Sequence, residues 1–226
     1  MSSDCDWTAR DVSLADGRLC FEVVYKGKSF LRPRLSVYGA YNIRNAMGAI
    51  AVLNHEGVAP DIIRSALEAF QGVLRRLQLR AEVGGIRIYE DFAHHPTAVR
   101  ETLQAARETF FPKRLWAIYE PRSATSRRNI FQREINEALA LADCIVLPAL
   151  YRPERIPEEE RLDVKRLVEE LRGANRAAWN LETVEDIIRH VCSEARSGDV
   201  VVILSNGGFG GIYNKLPAAL RNQVNA

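Results

Sequence analysis

The sequence predicts an α/β protein: a doubly wound sheet in the C-terminal part, preceded by an antiparallel meander and two helices. Three observations carry this. Residues 7–37 alternate apolar and polar side chains in short runs broken by turn residues. After Gly84 and Gly85 the pattern changes to short apolar runs alternating with stretches of helical period. At residues 90–99 the segment EDFAHHPTAV places one such run directly before a helix start, with Pro96 suited to the first helical position and His95 to the N-cap.

Taken in order, residues 12–14, 19–25 and 31–37 read as strands, with a turn at Lys26-Gly27-Lys28. Helical periodicity follows over 45–56 and 59–70; Gly57 separates the two, and Asp61 suits a cap of the second. A few strands and two helices need a further sheet to bury their apolar faces, so this part reads as incomplete alone. The next strands are expected at 86–89, 115–119, 144–147, 177–179 and 200–204, and helices at 98–110, 130–141, 163–171 and 184–196. A hinge over 80–85 divides the chain into domains of residues 1–82 and 83–226. The charge-dense stretch 152–165, with Glu158, Glu159 and Glu160, reads as a solvated loop and helix start.

Composition narrows the function classes. The 226 residues are 47% hydrophobic, enough for one large or two modest cores. Lys plus Arg number 31 against 29 Asp plus Glu, and a net charge of +2 supplies no broad field for nucleic acid or a membrane surface. Neither is expected as a partner. Cys5, Cys20, Cys144 and Cys192 are scattered without a CxxC pair, which fits a reducing compartment and gives no zinc-ligand cluster. No apolar run approaches the roughly 20 residues of a membrane span. Residues 1–4 lack the basic start of a signal peptide, so a cytoplasmic location is expected.

Chemistry-bearing residues gather just beyond the ends of three strands. Asp91, His94 and His95 lie between a strand and a helix, where open α/β sheets bind ligands and free helix N–H groups suit anionic oxygens. A polar turn whose histidines only cap the helix satisfies the same spacing. EPRSATSRR at 120–128 follows the strand 115–119, placing Arg122, with Arg127 or Arg128 behind it, to clamp a carboxylate. SNGGFGG at 205–211 follows the apolar strand 200–204, and its four glycines permit close backbone approach and positive φ. It is not GxGxxG, so a nicotinamide-dependent oxidoreductase lacks its fingerprint. No GxxxxGK[ST] phosphate loop occurs in the chain either.

EDFAHHPTAV resembles the strand-to-helix signature that opens the C-terminal domain of the Mur ligases. GAYNIRNA at 39–46, EPRSAT at 120–125 and SNGGFGG at 205–211 match in the same order, the last two in the manner of the murein peptide ligase branch. The resemblance runs from about residue 7 to 220 and covers the last half or so of such an enzyme. It implies a Rossmann-like C-terminal domain preceded by the end of a central ATPase domain. It further implies an ATP-dependent ligation of L-alanyl-γ-D-glutamyl-meso-diaminopimelate to UDP-N-acetylmuramate through an acyl phosphate, in peptidoglycan recycling.

The resemblance also distributes roles. Asn42 and Asn45 face the adenine, with Tyr41 standing where the family has His; Arg76 lies near the ribose and phosphates, and Asp91 holds the ribose hydroxyls. His94 and His95 face the reacting centre, as a base or only as binding groups. Phe92, His94, His95, Arg122, Ser123, Thr125, Arg127, Ser205, Asn206, Gly207 and Gly208 contact the peptide. From spacing alone Asn42 could instead cap a helix beginning near Asn45, and Asp91 could pair with a neighbouring Arg. The magnesium ligands and the triphosphate cradle are expected outside these residues, no metal is expected within them, and the chain alone is expected to be inactive. The alternative is a module that binds nucleotide or peptide without turnover.

Overall fold

The computed structural model describes residues 5–224; residues 1–4, where a signal-peptide start was sought, lie outside it. The chain forms two compact units, one ending at Val73 and the next beginning at Leu74.

The first unit is a four-stranded antiparallel sheet with two helices: β1 (Trp7–Ala15), β2 (Arg18–Tyr25), β3 (Lys28–Leu31), β4 (Arg34–Leu35), α1 (Ala40–His55) and α2 (Pro60–Ala69). Tyr25 pairs with Lys28 across a two-residue turn in which Lys26 and Gly27 both take positive φ, as a tight hairpin requires. The single strand expected over 31–37 is split into β3 and β4, with Pro33 between them, where it has no N–H to give a ladder. Leu19, Phe21, Val23, Leu31 and Leu35 of the sheet meet Ile43, Met47, Ile50 and Ile63 of the helices in one core. Glu22 is buried beside Arg10 at 3.1 Å and Arg32 at 3.0 Å, which offsets the cost of removing its charge from water. Helix α2 is capped by Ala59 with Pro60 in its first turn, so Asp61 is not the cap; it lies two positions after it and pairs with Arg64 at 3.0 Å.

The second unit is a six-stranded sheet in the order β5-β6-β10-β7-β8-β9: β5 (Gln78–Val83), β6 (Ile86–Asp91), β7 (Leu115–Tyr119), β8 (Cys144–Pro148), β9 (Ala177–Leu181) and β10 (Val200–Leu204). All neighbours are parallel except β5, which pairs antiparallel with β6. The helices are α3 (Pro96–Phe110), α4 (Gln132–Leu139), α5 (Val164–Gly173), α6 (Val184–Glu194) and α7 (Ile212–Val224). Every residue of β10 is buried, so its five apolar side chains reflect a strand covered on both faces.

Two elements differ from expectation. Gly84 and Gly85 form the turn of the β5–β6 hairpin and not an interdomain hinge, so the units divide at 73/74, ahead of the 82/83 boundary. β5 escapes the apolar-run pattern because its solvent-facing positions carry Arg80 and Glu82. Helix α7 was also unread, since Pro217 interrupts its hydrogen-bond ladder.

Topology fixes where a site can lie. From β6 through α3 to β7, then to β8 and β9, each crossover moves the same way along the sheet; from β9 through α6 to β10 it reverses. With right-handed crossovers, α6 falls on the opposite face from α3. β10 itself leaves into α7, which shares a core with α6, whereas its neighbours β6 and β7 leave towards α3 and α4; its carboxyl end is therefore the crevice where doubly wound sheets bind ligands.

His190 of α6 packs at 4.3 Å from the Trp179 ring, and its Nε2 has no partner. Burial holds its pKa below the usual value. The folded state thus takes up its proton later than the unfolded chain. Stability from this site is full above about pH 6.5 and is lost as pH falls through the depressed value. His190→Phe should flatten the fall in urea midpoint between pH 7.5 and 5; an unchanged slope would assign the acid sensitivity elsewhere.

Candidate functional site at the carboxyl edge of the sheet

Three buried carboxylates line this edge: Glu90 and Asp91 at the end of β6, and Glu120 just after β7. Each is claimed by a different partner. Glu90 accepts from Arg75 Nε at 2.5 Å and has Arg80 at 3.5 Å. Asp91 accepts from the backbone N–H groups of Leu77 and Ala93, both at 2.7 Å. Burial pushes its carboxyl above the usual range, against the pull of those two N–H groups and the Arg76 charge. Glu120 accepts from Ser205 Oγ at 2.5 Å and from Arg122 Nη1 at 3.2 Å.

These pairings join three loops. Ser205 Oγ also accepts from the Gly207 N–H at 2.9 Å, so the glycine loop folds back on the end of β10. A Cβ at Gly207 would come within 2.1 Å of Arg122 Cδ: glycine is required because the Arg122 stem lies across its Cα. The Arg122 guanidinium then stacks at 4.1 Å on the Tyr151 ring, from the loop after β8. Asn206 Oδ1 is buried without a partner beside this network, and Gly208 opens to solvent.

The turn after β6 presents the histidines in two different states. His94 Nδ1 lies 3.0 Å from the Phe92 carbonyl, which can only accept; Nδ1 therefore carries the proton and Nε2 is left as an acceptor. His95 Nδ1 instead accepts from the Thr97 N–H at 3.3 Å as the N-cap of α3, so its Nε2 is the N–H donor. His95 thus caps the helix as one sequence reading has it, while its ring, packed on Phe131 at 4.8 Å, remains exposed. Both rings line a cavity of about 330 Å³ with Tyr119, Ser123, Thr125 and Arg128. Tyr119 donates to the His94 carbonyl at 3.0 Å, and burial raises its pKa far above the phenol range, so it stays a neutral donor. Ser123 and Ser126, also in the lining, bond to each other at 2.8 Å.

Other expected site residues fall differently. Arg127 is spent on the backbone carbonyls of Ser123, Tyr151 and Arg152, so it fastens two loops together and does not stand behind Arg122 as a second clamp. Arg76 is exposed, 6.0 Å over the Phe92 ring, and lies in the second unit with Asp91, not across a hinge from it. The Asp91 carboxylate has both oxygens engaged by backbone, which makes it a support of the turn. Neither a free ribose acceptor nor a close Arg ion pair describes it.

In the first unit, α1 begins at Ala40 with Gly39 as N-cap, so Asn42 does not cap it. Asn42 donates to the Tyr38 carbonyl at 2.7 Å and accepts from Asn45 Nδ2 at 3.3 Å; two side-chain amides thus share one face, one turn apart. Among the described residues no group of three or more His, Cys, Asp or Glu is placed to hold a metal, and no helix is long and apolar enough to cross a membrane.

The description "Mur ligase, glutamate ligase domain" matches residues 75–207, more than half of the chain. The chain belongs to the Mur ligase family. It is 35% identical over 207 residues to the UDP-N-acetylmuramate--L-alanyl-gamma-D-glutamyl-meso-2,6-diaminoheptandioate ligase of Escherichia coli K12, covering 91% of this chain and 43% of that protein. It is 33% identical to a UDP-N-acetylmuramate--L-alanine ligase of Burkholderia cenocepacia, covering 96% and 47%. The crystal structure of a murein peptide ligase from Psychrobacter arcticus 273-4 superposes with a TM-score of 0.68 at 34% identity, covering 98% of this chain and 45% of that one. The chain spans less than half the length of these relatives.

Glu90, Arg75, Glu120, Tyr151 and Tyr119 were not singled out as site residues from sequence. The signal for Glu120 is a carboxylate directly following an entirely apolar parallel strand; Glu90, one residue before the end of a strand that also holds Arg87, carries no such signal. Asp91→Ala would leave two buried N–H groups unpaired at about 1–3 kcal/mol each. Urea denaturation should show a loss of at least about 2 kcal/mol; a loss under roughly 0.5 kcal/mol would mean that water replaces the carboxylate.

Proposed function

We propose that this chain is the C-terminal portion of an ATP-dependent ligase that joins L-alanyl-γ-D-glutamyl-meso-diaminopimelate to UDP-N-acetylmuramate, in peptidoglycan recycling and in the cytoplasm. The observation that carries the reading is the Glu120–Arg122–Gly207 assembly beside the histidine-lined cavity. It presents an oriented guanidinium and a proton acceptor at the same sheet edge. A peptide bearing several carboxylates and a free amine needs both.

ATP, with magnesium, supplies activation of the UDP-sugar carboxylate as an acyl phosphate. The paired amides of Asn42 and Asn45 fit a base edge, since together they offer donors and acceptors on one exposed helix face. Arg76, exposed and within the Coulombic reach of Asp91, suits phosphate or ribose oxygens. The 226 residues hold no GxxxxGK[ST] phosphate loop, and the triphosphate and magnesium ligands are proposed to lie outside them. On this reading the chain alone does not turn over ATP.

The chain's own residues act on the peptide. Arg122 takes a carboxylate, its fork held in plane by Glu120 and by the Tyr151 ring. Ser123 and Thr125 offer hydroxyls in the cavity, and the Phe92 ring, outside the cavity lining, packs edge-on against His94. The exposed Gly208 backbone is open to a second polar group of the ligand, next to the buried, unpartnered side-chain oxygen of Asn206. His94 Nε2, an acceptor in its neutral form, receives the amine proton as the amide bond forms, while His95 Nε2–H donates to an anionic oxygen.

In a full-length enzyme Arg122→Ala should raise the peptide KM about thirtyfold, the equivalent of about 2 kcal/mol for one charge-assisted bidentate contact, with the ATP KM within twofold. Equal changes in both constants would show that Arg122 serves the fold or the phosphates. His94→Gln should lower kcat at least about tenfold with little effect on peptide KM. A raised peptide KM at unchanged kcat would leave His94 only a binding role.

A further inference from the structure

Arg75 has more partners than any other side chain at the carboxyl edge, and no role in binding or turnover requires it to touch a ligand. Its Nε bonds Glu90 at 2.5 Å; its Nη2 donates to the Ser205 carbonyl at 2.9 Å and the Gly207 carbonyl at 2.8 Å, with Tyr213 Oη at 3.4 Å. Its plane lies 4.9 Å over the Phe92 ring. The backbone beneath is equally fixed. The Arg75 N–H donates to Gln78 Oε1 at 3.0 Å, its carbonyl accepts from Phe92 N–H at 2.8 Å, and both Arg75 and Leu77 take positive φ. Left-handed backbone at two non-glycine positions costs free energy and persists only where the surroundings hold it.

One residue therefore grips two loops at once. Through its carbonyl it holds the turn that carries His94, and through its guanidinium the two carbonyls that shape the glycine loop. Gly207 is then caught between Arg75 on its carbonyl and Arg122 across its Cα. We propose that Arg75 is a positioning residue that sets the Gly207 loop, and with it Arg122, in register with the His94 turn. The inference rests on the peptide-side reading of Arg122 only for its consequence in catalysis; the positioning itself is a property of this chain.

The fork is what matters, because a lysine at 75 keeps the charge opposite Glu90 but cannot bond Glu90 and two carbonyls together. In this chain, Arg75→Lys should speed amide hydrogen exchange at Gly207 tenfold or more, read by nitrogen-proton NMR, while Ala93, held by Asp91, changes less than twofold. Arg80→Lys tests the Glu90 charge alone, since Arg80 reaches Glu90 at 3.5 Å without touching the loop, and should leave Gly207 exchange unchanged. Unchanged Gly207 exchange in a folded Arg75→Lys protein overturns the proposal, as does equal acceleration at Gly207 and Ala93. In a full-length enzyme the same substitution should raise peptide KM about tenfold with ATP KM within twofold. Loosened exchange without that KM change would keep the positioning role and count against the peptide reading of Arg122.

Discussion

Burying a carboxylate is costly unless a cation or N–H groups meet it, and this molecule buries three of them at the ends of β6 and β7, the two strands that flank β10. Most of the local architecture depends on how each is met. Glu90 requires Arg75, which brings the segment after residue 73 onto the sheet edge. Asp91 requires the Leu77 and Ala93 N–H groups, which shapes both that segment and the turn before α3. Glu120 requires Ser205 and Arg122, which ties the loop after β7 to the glycine loop after β10. Replacing the set by apolar side chains would leave four loops without a common frame. The charges thus specify one arrangement of otherwise mobile segments.

Within that frame, two adjacent residues of one type are made to do different things. The Phe92 carbonyl and the Thr97 N–H impose opposite tautomers on His94 and His95. Neither partner belongs to another element; both are backbone groups within two residues of the ring they set. A helix start therefore provides an acceptor and a donor side by side without any added side chain.

The α/β alternation was legible because parallel strands buried on both faces must be apolar: β7 and β10 occur at the residues expected from pattern. β5 was not, since an antiparallel edge strand needs only one covered face. The turn after β6 could be read for its helix start, as Pro96 and His95 occupy the positions their backbone chemistry favours. Which arginine meets which partner could not be. Arg75 and Arg76 are neighbours in sequence, yet positive φ at Arg75 turns one side chain inward to Glu90 and leaves the other exposed. Arg127 likewise is drawn away from the role of a second clamp by carbonyls far along the chain, at 151 and 152. Hydrogen-bond partners distant in sequence have no periodic signature.

The tryptophans are divided between the two units. Trp7 stacks on Tyr25 at 4.2 Å in the first, half-buried. Trp116 is fully buried in the second, its indole N–H on Asp199 at 3.0 Å and its ring stacked at 5.8 Å on Trp179. The first unit consequently carries one tryptophan, partly wet, and the second a stacked pair of which Trp116 is dry and Trp179 half-buried. The emission spectrum of the chain is a sum of two separable reports, and a single-tryptophan variant can follow the melting of either unit without any label.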